Sequence, residues 1–490
     1  MLTLVLGGPG CGKTTALLNI IDDLLSRGVA PNKIAYLTFT KKAAQEGLTR
    51  AMEKFNFEQD DLPYFRTLHS LAFQQLALDP NMVMTETNWR EFGAVVGLQL
   101  TAPPEGEIGG KPGSQFLSAV QFARLRQRPL RSVCQDLKLD LTEAEYIESH
   151  LAAFKRDRGL VDFTDMLEAF RTEGVVPPVD YLIVDEGQDL STLQWQIVDR
   201  IAKRVDDMWV AGDDDQAIYE WAGADVERFL KLEGKKIVLP ISYRLKTSVF
   251  DVTQGIAHTI RDRFDKDWKP HADGGEIDRV NGIEHVNLDE GSWYLLARNH
   301  YLLEPLRQHL RDKGYSYLEH EQSSTDNANV RAMIHWEALR KGEKINVETL
   351  KEIWNRLKRD AVESSRLDID PEAIVSLADL RGHYGLLTDA PWFEVMRFND
   401  WEIEYYRACR QRGEKLLARP RITLSTIHGV KGGQADNVFL MSDMAPKSYE
   451  ALVRKKSDEE KRVFYVATSR AKERLIINNP VSPRYFDLTQ

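Results

Sequence analysis

Residues 7 to 14 read GGPGCGKT, and this glycine-rich stretch has the residue types needed to hold a phosphate chain. It fits the G-x-x-x-x-G-K-[ST] pattern, in which glycines let backbone N–H groups close around phosphate oxygens. An apolar run precedes it and apolar residues at helical spacing follow it, which is the strand–loop–helix context that the pattern requires. The sequence therefore predicts a nucleotide-binding loop made of Gly7, Gly8, Pro9, Gly10, Cys11, Gly12, Lys13, Thr14 and Thr15.

The last residues of this loop, together with an acid from a second strand, are expected to bind the phosphates and Mg²⁺. Lys13 is expected to reach the β and γ phosphates of ATP, and the Thr14 hydroxyl is expected to bind Mg²⁺. Mg²⁺ needs a second anchor, normally an acid at the end of another buried strand. The segment VDYLIVDEGQDLS (179–191) supplies one, since Asp185 and Glu186 follow an apolar run. We predict Asp185 as the metal ligand and Glu186 as the general base that polarises the attacking water; a surface acidic turn is the alternative.

The stretch GDDDQAIYEWAGAD (212–225) combines residue types that phosphate binding alone does not explain. Three consecutive aspartates repel a polyanion, yet Gln216 and two large aromatic residues, Tyr219 and Trp221, follow them closely. A flat aromatic ring can stack on any nucleic-acid base without reading sequence. The loop therefore has the chemistry to meet a base, with a core role for Trp221 as the alternative.

Length and composition limit the class of protein. A chain of 490 residues predicts two or more domains, and 42% hydrophobic with 29% charged residues is typical of an ordinary globular protein. The longest apolar runs are too short to span a membrane, and we interpret the N-terminal residues as a buried strand rather than a signal peptide. Three widely spaced cysteines fit a reducing cytosol without disulfides. The net charge of -10 argues weakly against a polyanion partner.

Two local features have alternative interpretations. The arginine-rich run ARLRQRPLR (123–131) is either a nucleic-acid patch or a solvated helix face. Cys11 is either a small residue that fits the loop or a reactive thiol whose pKa is lowered by the N–H donors and Lys13 around it.

Nine stretches, two of them already discussed, resemble, in order, the motifs of superfamily 1 DNA helicases of the UvrD/Rep type. The resemblance spans Met1 to about Phe486 and is more specific than one phosphate loop. The stretches are YLTFTKKAAQE (36–46), FRTLHSLAF (65–73), VDFTDML (161–167), VDEGQD (184–189), GDDDQAIYEWAGA (212–224), LPISYRL (239–245), LLARN (295–299), ITLSTIHGVKGGQADNVFLM (422–441) and EEKRVFYVATSRAKERLII (459–477).

The resemblance implies an α/β fold with two RecA-like parallel-sheet P-loop domains, each carrying a mostly helical insertion, and with ATP between the two domains. The first core domain would comprise residues 1–75 and 166–238, with its insertion at 76–165. The second would comprise 239–324 and 413–490, with a reduced insertion at 325–412. The proline- and glycine-rich stretch 101–115 is expected to be a mobile surface loop.

The same resemblance implies further residues of the ATP site. Gln216 would sit near the γ-phosphate and report hydrolysis, while the three aspartates would lie on the Mg²⁺ side. Arg244 and Arg470 match two arginine fingers, which would stabilise charge on the transferring phosphoryl group. Tyr243 would stack on adenine, and Gln434 would hydrogen-bond a ribose hydroxyl.

A set of residues matches positions that contact single-stranded DNA in the family. Aromatic and imidazole rings would stack on bases or touch the strand, and hydroxyl and amino groups would lie near the sugar-phosphate backbone, which gives most of the affinity. The first group is Phe39, His69, Tyr219, Trp221 and Phe486, and the second is Thr38, Thr40, Lys41, Thr426 and His428.

The sequence departs from the family pattern at four places. The upstream glutamine motif is not part of the sequence, which begins at Met1, so adenine selectivity stays open. Ala222 stands where the family usually has an arginine that links the phosphate site to the DNA side, and we expect looser coupling. Gly433-Gln434 replaces the usual Leu-Glu, and Thr15 replaces a frequent arginine.

The resulting expectation is an ATP- and Mg²⁺-dependent helicase or translocase that moves 3′ to 5′ along single-stranded DNA and unwinds tailed duplex DNA. The alternative is a DNA-stimulated ATPase that remodels protein–DNA complexes with little unwinding, which Ala222 and the short second insertion favour. A 5′-to-3′ motor and a fused nuclease are disfavoured. We expect a bacterial or phage protein in the bacterial cytoplasm, monomeric or weakly self-associating, with replication or repair proteins as candidate partners and no membrane contact.

Overall fold

The computed structural model describes residues 1–100, 114–364, 367–453 and 458–488. The chain divides into two compact units. Unit 1 consists of Met1–Gly275, Glu450–Ser469 and Leu488–Gln490, and unit 2 consists of Glu276–Tyr449 and Arg470–Asp487. Most of the stretch expected to be a surface loop, residues 101–113, lies outside the described residues.

Unit 1 is built on a six-stranded sheet with the strand order β3-β2-β4-β5-β1-β6, in which every pairing is parallel. Its central strands are buried on both faces, because a parallel sheet is covered by helices and so its strands are apolar throughout. The strands are β1 (Leu2–Leu6), β2 (Ile34–Thr38), β3 (Phe65–Thr67), β4 (Tyr181–Val184), β5 (Asp207–Gly212) and β6 (Lys235–Val238).

The helices of unit 1 follow these strands and cover the sheet. Helix α1 begins directly at Lys13, after Gly12 in a left-handed conformation, and buries Leu17, Leu18, Ile21 and Leu24 against the strands. The helices up to residue 260 are α1 (Lys13–Ser26), α2 (Lys41–Phe55), α3 (Leu68–Gln75), α4 (Glu86–Val95), α5 (Ser114–Leu125), α6 (Leu130–Leu137), α7 (Leu141–Arg158), α8 (Phe163–Thr172), α9 (Thr192–Ala202), α10 (Val226–Leu230) and α11 (Thr247–Thr259).

Helices α4 to α7 form the first insertion and have apolar clusters of their own. One cluster gathers Trp89, Phe92 and Phe154 with neighbouring aliphatic residues, and a smaller one gathers Ala119, Ala123 and Val133. The insertion is helical, as expected, in the part of residues 76–165 that the structure describes.

A buried group of charges joins this insertion to the sheet domain. Asp162, which is 3% exposed, accepts hydrogen bonds from Arg124 and Lys155, and both cations also bind Asp165. Burial raises the pKa of Asp162, but the two cations outweigh it and lower the pKa to about 2. Because Arg124 lies on α5, Lys155 on α7 and the aspartates at the start of α8, this group fixes the helices of the insertion to α8.

The same contacts correct the interpretation of the arginine-rich run. Arg124 is mostly buried and bound by three carboxylates, Asp162, Asp165 and Glu168. Arg126 pairs with Asp225, and Arg128 pairs with Asp136. Local carboxylates therefore balance Arg124, Arg126 and Arg128, and Arg131 is the exposed arginine of the run.

Two further strands of unit 1 form a small sheet of their own. Strands β7 (Ile241–Lys246) and β8 (Lys269–Ala272) pair in parallel. The sequence expectation placed residues 239–275 in the second core domain, whereas they belong to unit 1 here.

Unit 2 has a seven-stranded sheet with the order β12-β11-β15-β10-β16-β17-β9, parallel except for the short β11–β12 pair. The strands of this unit are β9 (Glu276–Val280), β10 (Trp293–Ala297), β11 (Tyr317–Glu319), β12 (Gln322–Ser323), β13 (Ile345–Asn346), β14 (Ile374–Val375), β15 (Ile422–Thr426), β16 (Ala435–Met441) and β17 (Ala471–Asn478). A second parallel-sheet domain confirms the predicted α/β fold class.

The second insertion is mostly helical and shares one continuous apolar core with the sheet of unit 2. Strands β13 and β14 form a small antiparallel pair within it. The remaining helices are α12 (Glu304–Lys313), α13 (Ala328–Arg340), α14 (Val347–Trp354), α15 (Leu377–His383), α16 (Trp392–Val395), α17 (Asp400–Arg412), α18 (Pro446–Val453) and, in unit 1, α19 (Asp458–Thr468). Across the described ranges, each helix is too short or too polar to cross a lipid bilayer.

The Asp162 group gives a prediction about stability. Asp162→Asn should lower the free energy of unfolding by about 2 kcal/mol or more, because it removes the more buried of the two carboxylates that Arg124 and Lys155 share. Denaturant titration followed by circular dichroism measures this. The control is Asp157→Asn on α7, whose side chain is 68% exposed and whose loss should cost less than about 0.5 kcal/mol. Equal stability of the two variants would contradict a fixing role for Asp162.

Candidate functional site

The parallel sheet of unit 1 brings the predicted motifs to one edge. The carboxyl ends of parallel strands meet at the same edge of a sheet, which is where α/β proteins bind ligands. The phosphate loop follows β1, Phe39 and Thr40 follow β2, and Asp185 and Glu186 follow β4. The DDDQ stretch, Asp213 to Gln216, follows β5. The strand order places β4 and β5 next to β1 or one strand away, so these segments are neighbours.

The phosphate loop has the shape that its glycines allow. Gly10 and Gly12 have φ angles of 74° and 76°, in the left-handed region that favours glycine. The Lys13 ammonium donates to the carbonyl oxygens of Gly7 at 3.0 Å and Gly8 at 3.4 Å. The lysine is therefore held against its own loop, at the helix N-terminus where a phosphate chain is attracted.

Thr14 and Asp185 come together as predicted for a Mg²⁺ site. The Thr14 hydroxyl donates to Asp185 Oδ2 at 3.2 Å, and the buried Tyr36 hydroxyl donates to the same oxygen at 2.6 Å. Burial, followed by the nearby charge of Glu186, raises the pKa of Asp185 to about 6. A hydroxyl and a carboxylate side by side are the hard oxygen ligands that Mg²⁺ prefers, so these residues fit the ion.

Tyr36 and Gln188 belong to the site but were not predicted. Tyr36 is buried beneath Asp185 on β2, and the Gln188 amide donates to Glu186 Oε2. Gln188 Oε1 in turn accepts from the backbone N–H of Asp213 at 3.0 Å. Gln188 therefore connects the proposed general base to the start of the DDDQ stretch. Its place in VDEGQD was the only sequence signal for it.

Gln216 is bound to the first aspartate of its own stretch. Its side-chain amide donates to Asp213 Oδ2 at 2.8 Å, and the Tyr465 hydroxyl lies 3.4 Å from the same oxygen. Since Tyr465 lies on α19, the short helical turn at Asp214–Gln216 is tied to that helix as well as to Gln188. Gln216 is 8% exposed.

The three aspartates are buried rather than arranged around a metal position. Lys266, which has no exposed surface, lies 2.7 Å from Asp213, 2.5 Å from Asp214 and 2.9 Å from Asp215. Arg263 makes a two-pronged ion pair with Asp215. The resemblance places these carboxylates on the Mg²⁺ side of the loop, and in the structure they balance two cations from the segment after α11.

Ser242, Tyr243 and Arg244 on β7 lie directly beside the phosphate loop. The Ser242 hydroxyl donates to the Pro9 carbonyl at 2.6 Å, and the Tyr243 N–H donates to the Gly10 carbonyl at 2.9 Å. A Cβ atom at Gly10 would collide with Arg244. The Tyr243 ring is 70% exposed, and the Arg244 guanidinium donates to the Ser469 carbonyl at 3.4 Å.

Several residues that were predicted to contact DNA lie in segments that follow the strands of the unit 1 sheet. The rings of Phe39 and Tyr219 are 5.7 Å apart, and Trp221 is half-buried, which excludes a fully enclosed core position. The His69 ring packs edge-on against Phe163 at 5.8 Å. Lys41 is exposed.

Two threonines of this group have other roles in the structure. Thr40 is the N-cap of α2, where its hydroxyl accepts from the Ala43 N–H at 3.1 Å. Thr38 is fully buried at the end of β2, so its side chain does not reach the surface in this conformation.

Unit 2 holds the remaining predicted residues in two places. Thr426 ends β15 and His428 follows it in a short helical turn, both half-buried. Gln434 is exposed, and the buried Arg470 donates to the Gly433 carbonyl at 3.0 Å. Because Ala435 and Ala471 are paired residues of β16 and β17, Gln434 and Arg470 lie side by side.

Two predicted residues are less available than expected. Phe486 is 7% exposed, so a base could not stack on its ring in this conformation. Cys11 is 5% exposed, and burial outweighs Lys13 and raises the pKa of its thiol to about 11. The hypothesis of an activated thiol is therefore wrong, because desolvation of the thiolate exceeds the attraction of the lysine.

Comparison with known proteins agrees with this arrangement. Residues 1–222 match the family model of an AAA domain, and residues 406–480 match that of a UvrD-like helicase C-terminal domain. The two matches and the relatives below support the predicted resemblance to UvrD/Rep-like superfamily 1 helicases. The nine ordered motifs identified in the sequence fall largely within the two matched regions.

Individual relatives are similar over part of their length. The ATP-dependent DNA helicase Rep of Buchnera aphidicola subsp. Baizongia pistaciae is 24% identical over 295 residues, covering 56% of this chain and 43% of Rep. The ATP-dependent DNA helicase PcrA of Bacillus subtilis is 26% identical over 351 residues, covering 65% of this chain and 46% of PcrA. The chain therefore spans less than half the length of these curated relatives.

Proposed function

We propose that this protein is an ATP-dependent DNA helicase or translocase that moves along single-stranded DNA, 3′ to 5′, and unwinds duplex DNA. The observation that carries the proposal is the continuous contact path at one edge of the unit 1 sheet. It runs from Lys13 and Thr14 through Asp185 and Gln188 to Gln216. The name of the relatives, ATP-dependent DNA helicase, supports the same reaction.

The nucleotide would be held by the phosphate loop and by residues beside it. Backbone N–H groups of Gly10 to Thr15 would face the phosphates, and Lys13 would leave its carbonyl partners to bind them. Thr14 and Asp185 would hold Mg²⁺, which supplies charge neutralisation for phosphoryl transfer when bound. The exposed ring of Tyr243, next to Gly10, supports its assignment to adenine, and Gln434 is assigned to the ribose.

Hydrolysis would rest on Glu186, Gln216 and two arginines. Glu186 follows the metal ligand directly and is oriented by Gln188, as a general base needs to be. Gln216 would respond to the γ-phosphate, because it lies at the end of the contact path from the loop. Arg244 and Arg470 are assigned as arginine fingers that stabilise the charge of the transferring group.

The DNA strand would be bound by stacking and by backbone contacts. Phe39, Tyr219 and Trp221 are partly exposed rings close to the same edge of the sheet, which supports a stacking role that tolerates any base. His69, Thr38, Thr40, Lys41, Thr426, His428 and Phe486 are assigned to the strand by resemblance. Among them, Lys41 has the exposure that phosphate contact needs, whereas Thr38 and Phe486 would need a rearrangement.

An ATPase that remodels protein–DNA complexes with little unwinding is the second candidate. Ala222, which is 8% exposed, carries no guanidinium that could link the phosphate site to the DNA side. An ion pair and a hydrogen bond connect this loop instead: Glu220 binds Arg462 on α19 at 2.7 Å, and Arg126 donates to the Ala224 carbonyl at 2.6 Å. These replacement links favour retained coupling, and so the motor is our first choice.

The setting is proposed from the relatives. Rep and PcrA are bacterial proteins, which supports the bacterial cytoplasm as the place of action, for a protein encoded by a bacterium or by a phage. Single-stranded and tailed duplex DNA are the proposed substrates. Replication or repair proteins are the proposed partners, and a monomer or weak self-association is the proposed state.

The first test is ATP hydrolysis with and without oligo-dT at low salt. We expect strong stimulation by DNA in the wild type, and a loss of about 100-fold or more in Lys13→Ala, the scale on which removal of a preorganised electrostatic group acts. Lys42→Ala is the matched control, because that exposed lysine lies outside the loop. Normal turnover in Lys13→Ala would refute the phosphate-loop assignment.

The stacking assignment predicts a separate effect of Trp221→Ala. Loss of one base-stacking ring, about 1–3 kcal/mol, should weaken oligo-dT binding roughly 5- to 100-fold while DNA-independent hydrolysis stays near wild type. Fluorescence anisotropy of labelled oligo-dT measures the affinity. Trp401→Ala is the control, since that indole is 48% exposed in the second insertion. An equal loss of both activities would place Trp221 in a structural role.

Duplexes with a single-stranded tail distinguish the candidate functions. The motor should separate a 3′-tailed duplex in the presence of ATP and leave a 5′-tailed duplex intact. DNA-stimulated hydrolysis without separation of either duplex would favour the remodelling ATPase. Separation of the 5′-tailed substrate alone would reverse the proposed polarity.

A further inference from the structure

The segment Arg261–Trp268, which we call the strap, connects parts of the ATP site that are far apart in sequence. It lies outside both regions that match family models, 1–222 and 406–480. Its Arg263 and Lys266 neutralise the aspartates of the DDDQ stretch, and its Arg261 binds Asp458 at the start of α19. The strap is therefore attached to the loop that carries Gln216.

The end of the strap lies on the phosphate loop. A Cβ atom at Gly8 would overlap the Trp268 indole at Cε2 and Cζ2, so the ring packs directly on the backbone of that glycine. Phe250 on α11 packs edge-on against the same indole, with ring centroids 4.9 Å apart. Trp268 is 4% exposed, and its position is fixed two residues after the buried Lys266.

The indole N–H of Trp268 has no hydrogen-bond partner among the residues that the structure describes. An indole nitrogen is a donor only, and a buried donor without an acceptor is unfavourable. Nε1 is bonded to Cε2, one of the ring atoms that a Cβ at Gly8 would overlap, so the N–H is one bond from the contact with the phosphate loop. The Gly8 carbonyl already accepts from Lys13 and from the Cys11 N–H.

We propose that Trp268 is a further nucleotide-binding residue, whose indole N–H donates to an oxygen of the phosphate chain bound in the loop. This inference rests on the proposed function. A polyphosphate is the one proposed ligand of this loop that brings acceptor oxygens without donors. Because Lys266 and Arg263 attach the same strap to the DDDQ stretch, Trp268 also gives the phosphate loop a direct connection to Gln216.

The test compares two tryptophans that differ in their position. Trp268→Phe keeps an aromatic ring between Gly8 and Phe250 and removes the N–H. Trp195→Phe is the control, because Trp195 is also buried in unit 1 with an indole N–H that lacks a partner in the described structure, but packs in the core formed by α9 and the sheet. Both changes remove one buried indole, and only the first removes it from the loop.

Binding of Mg²⁺-ADP and of Mg²⁺ with the imido analogue of ATP is measured by calorimetry. We expect Trp268→Phe to weaken the affinity for both nucleotides about 10-fold, since a hydrogen bond to a charged group is lost, and Trp195→Phe to stay within about 2-fold. Unchanged affinity in Trp268→Phe, or an equal loss in both variants, would overturn the inference. If the wild type binds neither nucleotide, the proposed function itself fails.

A second measurement uses the wild-type protein and does not depend on the folding of a variant. The ten tryptophans are labelled with ¹⁵N at the indole nitrogen, and the Trp268 signal is assigned through its connection to the Trp268 backbone resonances. On titration with Mg²⁺-ADP this N–H resonance should move downfield as it gains an acceptor. A Trp268 resonance that does not shift would count against the donor role.

Discussion

A buried balance of charge fixes the loop on which the proposed coupling depends. Lys266 has no exposed surface, and its ammonium group touches a carboxylate of each of three consecutive aspartates. Removing either side would leave charge in the interior without a partner, which costs several kcal/mol. Separating the DDDQ stretch from the strap is therefore unfavourable, and we expect the two segments to move together. Three carboxylates are more than one ammonium can balance, and the Arg263 pair with Asp215 supplies the second cation.

Local sequence patterns were sufficient where the chemistry is carried by the backbone or by a strand end. The phosphate loop is specified by glycines and by its place between an apolar strand and a helix, and Lys13, Thr14 and Asp185 are found together as predicted. The parallel sheets also follow from the alternation of apolar strands and helices. These features depend on neighbours in sequence or on a general property of parallel sheets, and so the sequence contains them.

Long-range neutralisation was not predictable in the same way. The Arg124 group and the Lys266 group both join charges from segments separated by tens of residues, and a charged residue appears the same in a sequence whether it is solvated or buried. The sequence therefore suggested a cationic run at 123–131, where carboxylates in fact balance three of the arginines. It also did not reveal the two cations that balance the aspartates. For Cys11, the nearby Lys13 was visible and the burial was not, so the direction of the pKa shift was wrong. Tyr36 and Gln188 were missed because each acts through a carboxylate rather than through a motif position of its own.

Asp213 is the point at which these contacts combine. Its carboxylate accepts from Gln216, from Lys266 and from Tyr465 on α19, and its backbone N–H donates to Gln188 beside Glu186, the proposed general base. Burial raises the pKa of Asp213, and Lys266 followed by Lys13 outweighs it, so the pKa is held below its ordinary value and the carboxylate stays charged. A change of charge at the phosphate loop therefore acts on a group that also holds the Gln216 turn and α19, whose chain continues within two residues to Arg470. The motif loop is thus connected to α19 at Asp213 and again at Glu220, and neither contact involves the side chain at position 222.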